Sequence, residues 1–469
     1  MSESEYLENV TYDELTVGRK ASFARTLTKD DIELFATVSG DVNPEHMDEA
    51  YARNDMFHGI IGHGMWSGAL ISTVLGTLLP GPGTVYLEQD MKFRKPVRIG
   101  DKITTTVVVH SKRSDKPIVT LDCTCANQNG EIVVEGTATV LAPTEKVRRL
   151  RPDMPDVEIH THDRYHKIME SCRGKAPVKT AVVHPVQANV MEAVADAAKE
   201  NFIIPVLIGP RSLILAASKE ANVDISKWEL IHTEDSHASA AKAAELASSG
   251  KVQAIMKGSL HTDEVLEAIM PAALGLRTER RISHAYVMDV FGYPKPLIIT
   301  DAVVNIAPDL AAKADICQNA IDFWRALSPE DRPPKLAILA AVETVTQKMQ
   351  ATVDAADLCK MAERGQITGG IIDGPLAFDN AISKQAAADK GIASPVAGDA
   401  DILVAPEIES GNILAKQLTF LGHADAAGIV LGARVPIILT SRADNLRTRL
   451  LSCAMAVLLT EARREGRLK

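Results

Sequence analysis

The sequence predicts a multidomain α/β protein in two parts: an antiparallel sheet around a central helix, then a two-lobed α/β part with mainly parallel sheets. Three observations predict this fold. Residues 80–141 alternate between apolar and polar side chains, residues 65–79 are apolar on nearly every face, and after residue 165 apolar runs alternate with Ala-rich helical stretches. The length of 469 residues also exceeds a single core, since such cores stop growing at roughly 250–300 residues.

The alternating region contains four strand-length runs, at residues 84–93, 102–110, 117–125 and 131–141, separated by turn sequences such as NQNG. The apolar run at 65–79 comes just before them, and a helix that is apolar all round is expected to be buried all round. These elements predict a sheet wrapped around one buried helix, the hotdog arrangement, in a domain that spans residues 1–142.

Residues 143–164 contain three prolines and a charged run, which predict a linker. Residues 165–469 contain apolar runs such as IIPVLIG, VQAIMKG and VPIILTS between helical stretches. This pattern is typical of a mainly parallel sheet covered on both faces. Because this part also exceeds one comfortable core, we predict two lobes, one from about 165–300 plus 440–469 and one from about 301–439.

The charge balance excludes some classes of partner. The chain has 51 Lys and Arg against 61 Asp and Glu, a net charge of −10, whereas nucleic acids and anionic membranes need clustered basic residues. Six cysteines in this length do not form a disulfide framework. The N-terminal segment lacks the apolar region of a signal peptide, and no run reaches the ~18–20 apolar residues of a membrane span. We therefore expect a cytoplasmic protein.

The segment FATVSGDVNPEHMDEAYA (35–52) is the first candidate site. Asn43 and the following proline predict a turn that brings Asp41 and His46 to one side of a loop, where they could position a water molecule for general acid–base catalysis. The alternative is that Asp41 or Asn43 is an N-cap and His46 is a solvated helix residue. Gly64, at the start of the apolar helix, could provide a free N–H group for an oxyanion, or could simply relieve steric crowding.

These residues resemble the MaoC-like, (R)-specific enoyl-CoA hydratase family, through SGDVNPEH, the HGM at the helix start and LPGPGTVYLEQDMKFRKPVRIGD. The resemblance implies that Asp41 and His46 are the catalytic pair, with Asn43 in the same loop. It also implies that Gly64 is the oxyanion donor and Ser72 a hydrogen-bonding partner near the site. The implied reaction is reversible hydration of a trans-2-enoyl-CoA to an (R)-3-hydroxyacyl-CoA.

The segment IMKGSLHTDEVL (255–266) is the second candidate site, because a strand ends at Lys257 and a helix begins near residue 262. Gly, Ser259 and Lys257 at such a position suit a phosphate, although a solvated Lys on a tight turn is equally compatible with the sequence. The nearby cluster of Arg277, Arg280 and Arg281 is either a solvated face or, beside a phosphate loop, a site for CoA phosphates.

Two further positions follow apolar strands. Ser441 and Arg442 close one strand and pair a hydroxyl with an oxyanion clamp, and the missing GxSxG motif argues against an acyl-serine hydrolase. Asp373 could bind a ligand or merely form a turn.

Residues 165–465 resemble the phosphate acetyl/butyryltransferase family, and the motif order favours the butyryl type. KGSLHT, TDAVVNIAPDL, DGPLAFDNA, SGNILAK and the Ser-Arg pair occur in family order. The resemblance implies exchange between acyl phosphate plus CoA and acyl-CoA plus phosphate, with Ser441 at the reacting thiol or tetrahedral oxygen and Arg442 on phosphate. It also implies a lobed fold similar to isocitrate/isopropylmalate dehydrogenases, and Lys257, Ser259, Arg277, Arg281, Asp373 and Asn412 as substrate-binding residues.

One departure matters for this second half. The acetyl branch has an Asp thiol base seven residues after the Ser, where this chain has Thr448. The alternative function is therefore a hydratase with a non-catalytic, acyl-CoA-sensing or oligomerising C-terminal part. The sequence argues against a dehydrogenase function for this part, because no GxGxxG motif follows a predicted strand. We expect acyl-CoA and acyl phosphate as substrates, no bound cofactor or metal, and a homo-oligomer.

Overall fold

The structure is a computed structural model that describes residues 6–155, 157, 159, 163–328, 330, 332–439 and 446–468. It divides into two compact units, Met1–Thr161 and His162–Lys469, and this boundary falls within the segment 143–164. Among the described residues, no helix combines the length and the apolar character that crossing a bilayer requires.

The first unit contains a five-stranded antiparallel sheet in the order β2-β4-β5-β6-β3. Its strands are β2 (Lys20–Thr26), β3 (Val85–Phe93), β4 (Lys102–Lys112), β5 (Ile118–Ala126) and β6 (Ile132–Leu141). The four strands predicted from alternation are all present. Strand β2 was not predicted, because this edge strand is mostly exposed and carries few large apolar side chains.

The predicted central helix is α4 (Gly64–Thr77). Leu70, Ile71 and Val74 lie in one core cluster with buried side chains of the sheet. The helix is not buried all round, however, because Met65 is 53% exposed and Ser72 and Gly76 are also exposed. A five-stranded sheet covers one side of a helix only, which corrects the expectation of complete burial.

Three short helices precede α4: α1 (Lys29–Ser39), α2 (Pro44–Met47) and α3 (Glu49–Asn54). A separate two-stranded sheet joins β1 (Tyr6–Glu8) to β7 (Arg148–Leu150). The buried Asn9 side chain supports it by donating to the Glu145 carbonyl (2.9 Å) and accepting from the Val147 N–H (2.9 Å). Part of the predicted linker is therefore a strand of this unit.

The second unit contains one eleven-stranded mixed sheet in the order β10-β9-β8-β11-β18-β17-β12-β13-β16-β14-β15. Its strands are β8 (Val178–Val183), β9 (Ile203–Gly209), β10 (Glu229–His232), β11 (Ala254–Lys257), β12 (Ser283–Asp289), β13 (Leu297–Thr300), β14 (Lys335–Leu339), β15 (Ile371–Leu376), β16 (Ile402–Val404), β17 (Asp425–Leu431) and β18 (Ile437–Ile438). Most neighbouring pairs are parallel, as predicted.

The strands point in two directions. β12 is antiparallel to both β13 and β17, and β17 is antiparallel to β18, which is parallel to β11. β11 and β12 therefore run in the same direction, whereas β13, β14, β15 and β16 run in the opposite one. The division into two lobes and the likeness to isocitrate/isopropylmalate dehydrogenases stay predictions.

Helices cover this sheet. They are α5 (Asp163–Ser171), α6 (Ala188–Lys199), α7 (Arg211–Glu220), α8 (Ser236–Ser248), α9 (Thr262–Ile269), α10 (Leu310–Leu327), α11 (Gln350–Glu363), α12 (Phe378–Ile382), α13 (Lys384–Asp389), α14 (Ile408–Phe420) and α15 (Leu446–Arg464). The largest core cluster includes buried residues of α10 and α15 together with strand residues. All seven residues of β17 are buried, as expected for a strand that is covered on both faces.

Candidate functional site

The loop between α1 and α2 positions the first predicted pair. Gly40 is the C-cap of α1, and its φ of 77° is left-handed, which suits glycine. The chain then turns back, with the Asp41 carboxylate accepting a hydrogen bond from the Asn43 N–H at 3.3 Å. Asn43 is the N-cap of α2, with Pro44 as the first helical residue. The predicted turn is present, and the N-cap interpretation of Asn43 is correct as well.

His46 lies on α2 and is held by the chain that leads into α4. Its Nδ1 atom is 2.8 Å from the Ile61 carbonyl oxygen. Because a carbonyl only accepts, Nδ1 carries the proton, and Nε2 of the neutral ring is left as a proton acceptor. The imidazole is therefore oriented for general base chemistry.

His63 joins this pair, although the sequence analysis assigned it no role. Its ring centroid is 4.0 Å from that of His46, and its Nε2 atom is 2.9 Å from the Asp41 carbonyl oxygen. A carboxylate oxygen of Asp41 and one ring nitrogen each of His46 and His63 lie within 4.8 Å of one another. The structure thus brings Asp41 and His46 together, with a third side chain between loop and helix. The expectation of no metal here stays a prediction.

Gly64 is the first residue of α4, directly after His63, whose side chain makes no capping hydrogen bond. The first N–H groups of a helix have no partner within the helix, so this end can stabilise negative charge. A Cβ at Gly64 would lie 2.9 Å from the Phe93 ring, so glycine also keeps the approach open. Ser72 lies eight residues further along α4, about 12 Å along the helix axis at 1.5 Å per residue.

The second candidate site is the turn after β11. The Lys257 side chain is buried, with Nζ donating to the Leu260 carbonyl at 3.3 Å. The Gly258 N–H donates to the Val183 carbonyl at 2.9 Å, and a Cβ at Gly258 would be 2.3 Å from that oxygen. The Ser259 hydroxyl is buried and has no hydrogen-bond partner among the described residues. A ligand would satisfy it.

The helix after this turn is less open to an anion than the sequence analysis expected. Glu264 accepts a hydrogen bond from the His261 N–H at 3.1 Å, in a capping box at the start of α9. Its carboxylate therefore occupies part of the helix N-terminus where a phosphate would bind. The turn itself, with Lys257 and Ser259, remains the better candidate.

The arginine cluster lies elsewhere. Lys257 ends β11, whereas Arg281 lies two residues before the start of β12, and the two strands run in the same direction. The two residues therefore lie at opposite edges of this part of the sheet. Arg280 is paired with Asp322 at 2.5 Å, and Arg277 forms a backbone bridge with Ala433. These positions correct the expectation that the cluster lies beside the phosphate turn.

Arg281 instead contacts the loop after β13. Its Nε donates to the Asn305 side-chain oxygen at 2.8 Å, and Asn412 on α14 donates to the Ala302 carbonyl at 3.0 Å. The buried Asp301 carboxylate holds this loop by accepting from the N–H groups of residues 303, 304 and 305. Burial raises the Asp301 pKa, although these hydrogen bonds oppose the shift. The motif TDAVVNIAPDL signalled this loop, but the sequence analysis selected none of its residues.

The remaining predicted residues are separated from both groups or lie outside the described residues. Asp373 is on β15, the edge strand seven positions from β11, and its carboxylate accepts from the Gly374 N–H at 2.9 Å. Ser441 and Arg442 lie outside the described residues, three and four residues after the end of β18. Thr448 is in the first turn of α15.

Two family models match the chain. Residues 14–126 match the MaoC like domain, and residues 236–457 match the family described as Phosphate acetyl/butaryl transferase. The first range holds the Asp41, His46 and His63 cluster. The second holds the Lys257–Ser259 turn and the loop after β13 that Arg281 and Asn412 contact.

Curated relatives match the second unit over nearly their whole length. Phosphate acetyltransferase of Rhizobium meliloti is 54% identical over 301 residues, 64% of this chain and 95% of the relative. Phosphate butyryltransferase of Clostridium acetobutylicum is 37% identical over 295 residues, 63% of this chain and 97% of the relative. The expectation of closer similarity to the butyryl type is therefore not supported.

A solved structure agrees with the fold of this unit. The branched-chain phosphotransacylase from Enterococcus faecalis V583 superposes with a TM-score of 0.53 at 29% identity, covering 60% of this chain and 99% of that one. The MaoC like domain model identifies the first part of the molecule. The other family model, the relatives and this structure identify the second. The chain belongs to the phosphate acetyl/butyryltransferase family and carries a MaoC-like domain ahead of the transferase part.

Proposed function

We propose that the chain is a bifunctional acyl-CoA enzyme. The N-terminal unit hydrates trans-2-enoyl-CoA to (R)-3-hydroxyacyl-CoA, and the C-terminal unit transfers acyl groups between CoA and phosphate. The observation that supports hydration best is the convergence of Asp41 and His46 beside the N-terminus of α4. The similarity to phosphate acyltransferases supports the second activity.

In the proposed hydration, Asp41 and His46 take a proton from a bound water, whose oxygen adds to the β-carbon of the enoyl thioester. Electron density moves to the thioester oxygen, where the Gly64 N–H stabilises the negative charge. A proton then returns to the α-carbon from the same pair, so the reaction consumes one water. Asp41 is exposed in the isolated chain, so an acyl-CoA can reach it.

In the proposed acyl transfer, the CoA thiolate attacks the carbonyl carbon of an acyl phosphate and phosphate leaves. Lys257 and Ser259 are at the carboxyl end of β11, and the parallel strand β18 ends beside them. Ligands in open α/β sheets bind at such carboxyl ends. We assign phosphate binding to this edge, with Ser441 and Arg442 as the reacting groups implied by the family resemblance.

The second candidate function for the C-terminal unit is non-catalytic sensing of acyl-CoA. Thr448 favours it, because a thiol of pKa near ~8.5 needs activation at neutral pH and threonine cannot act as the base.

The test of hydration uses the full-length chain and crotonyl-CoA, with loss of the conjugated enoyl thioester absorbance as readout and chiral analysis of the product. Asp41→Asn should abolish hydration while acyl transfer continues. The matched control is Asp122→Asn, since Asp122 lies on β5 between the buried Leu121 and Cys123 and therefore faces away from the core. A wild-type rate in Asp41→Asn would exclude the assignment.

The test of acyl transfer is CoA-dependent phosphate release from acetyl, propionyl and butyryl phosphate. Phosphate release by the wild-type chain that is lost in Ser441→Ala would support a catalytic C-terminal unit. The absence of release with all three substrates would leave the sensing function.

We also propose that the chain forms a homo-oligomer. β3 is an edge strand of its sheet, and Val85 and Leu87 on it are 50% and 52% exposed. Exposed apolar residues on an open strand edge favour association. Sedimentation velocity of the full-length chain would measure the oligomeric state, and a monomer at micromolar concentration would contradict the proposal.

A further inference from the structure

His63 contacts every component of the proposed hydration site. It hydrogen-bonds the Asp41 main chain at 2.9 Å, its ring contacts the His46 ring with centroids 4.0 Å apart, and it is covalently joined to Gly64. No other described residue has all three relations. These contacts raise the question of whether His63 positions the reacting groups.

The imidazole is fixed in one tautomer. The Asp41 carbonyl only accepts hydrogen bonds, so His63 Nε2 carries the proton and donates it. Its Nδ1 atom is buried and has no hydrogen-bond partner among the described residues, and the side chain is only 3% exposed. Leaving a buried acceptor unpaired costs about 1–3 kcal/mol. A leucine or phenylalanine at this position would avoid that cost, so the histidine is not explained by packing alone.

The loop that carries Asp41 has few other anchors. The Asp41 N–H donates to the Ser39 hydroxyl at 3.2 Å. Among the described residues, the Asp41 carboxylate accepts a hydrogen bond only from the Asn43 N–H, within the same loop. The His63 hydrogen bond is the contact that ties the Asp41 main chain to the start of α4, where the Gly64 N–H lies. The neighbouring His46 ring is held by its own hydrogen bond to the Ile61 carbonyl.

We propose that His63 is a positioning residue of the hydration site, which sets the distance between Asp41, His46 and the oxyanion donor Gly64. The inference rests on the proposed hydratase activity. His63 acts through the Asp41 main chain and the His46 ring, and it does not itself exchange a proton with the substrate. A misplacement of about 1 Å in such a site can cost 10²-fold in rate, so removal of the His63 hydrogen bond should lower kcat more than it raises KM.

Two variants separate the hydrogen bond from ring packing. The His63 ring also contacts Phe35, with ring centroids 5.0 Å apart. His63→Phe keeps an aromatic ring against His46 and Phe35 but removes the donor. His63→Gln keeps a side-chain N–H that reaches about as far as Nε2. With crotonyl-CoA we expect kcat of His63→Phe to fall about 10–100-fold with KM within a few-fold, and His63→Gln to recover most of the loss. The control is His110→Phe, because His110 is exposed on β4.

The pH profile distinguishes positioning from proton transfer. If His63 only positions the pair, the residual kcat of His63→Phe has the same pH dependence as the wild type, because the groups that exchange protons with the substrate are unchanged. Thermal unfolding and acyl transfer of the same full-length variants show whether they fold. A folded His63→Phe with wild-type kcat would overturn the proposal, as would loss of one limb of the pH profile. A wild-type chain that does not hydrate crotonyl-CoA would instead overturn the proposed function itself.

Discussion

Replacing Gly258 by alanine tests whether the turn after β11 belongs to the acyl transfer site. The added Cβ would lie 2.3 Å from the Val183 carbonyl oxygen and 3.0 Å from the carbonyl carbon of His184. Ordinary contacts of this kind are 3.4–4 Å, so the turn must move by about 1 Å. Both neighbours are backbone atoms in or beside a strand, which leaves the turn itself to shift.

The energetic effect has two parts. The hydrogen bond from the Gly258 N–H to the Val183 carbonyl is lost or lengthened, at about 1 kcal/mol. Overpacking adds about 1–3 kcal/mol, so the free energy of unfolding should fall by about 2–4 kcal/mol. At roughly 2–4 °C per kcal/mol for a large domain, Tm should drop by about 4–16 °C.

The functional effect follows from the displacement. A shift of about 1 Å in groups that bind the reacting phosphate should lower the rate of acyl transfer about 10²-fold. The assay is CoA-dependent phosphate release from acetyl phosphate, run beside a thermal scan. Gly76→Ala is the control, because a Cβ there meets nothing within 4 Å. It should leave acyl transfer unchanged and should not lower Tm, since alanine favours a helix more than glycine does. A Gly258→Ala chain with lower Tm but wild-type acyl transfer would refute the placement of the site at this turn.

Three further substitutions have defined outcomes. Thr448→Asp should raise kcat of acyl transfer at neutral pH at least ~10-fold if a thiol base is missing, and an unchanged rate would show that none is needed. Burial would raise the Asp399 pKa, but ion pairs such as that with Lys335 lower it to about 2. A lowered pKa stabilises the fold above the unfolded value of 3.8, and this is lost as pH falls towards 2. Asp399→Asn should therefore cost about 1 kcal/mol at pH 7, and acid titration of Tm should show a shallower decline below pH 3.8. Lys313→Met leaves Asp354 buried without its 2.6 Å partner and should cost about 3–5 kcal/mol in denaturant unfolding; a neutral result would contradict this.

The sequence predicted the strands of the first unit well because their signal is local. Alternation along residues 102–110 or 131–141 reports directly which side chains face the core. The burial of α4 was overestimated because apolar composition does not reveal whether a second layer covers the outer face. Met65 and Gly76 are as apolar as their buried neighbours, yet they are exposed.

A site could be predicted where its residues are close in sequence within one turn. It could not be predicted where its residues lie on different strands, whose order in the sheet must be known first. Asp41 and His46 are five residues apart, so one turn brings them together. Lys257 and Arg281 are also close in sequence, but the order and direction of β11 and β12 separate them, and such pairings are not encoded locally. His63 was overlooked because its function depends on two tertiary contacts, with Asp41 and His46, although its place directly before Gly64 was a usable signal.

The pairing of β1 with β7 has a consequence for how the two halves could be separated or exchanged. The first strand of the N-terminal unit pairs with residues 148–150. The two ends of this unit therefore lie next to each other. A gene fragment cut at residue 142 would lack β7 and the Asn9 hydrogen-bond partners Glu145 and Val147, whereas one cut after Thr161 would keep them. A unit whose two ends lie side by side is also suited to circular permutation and to transfer onto unrelated chains.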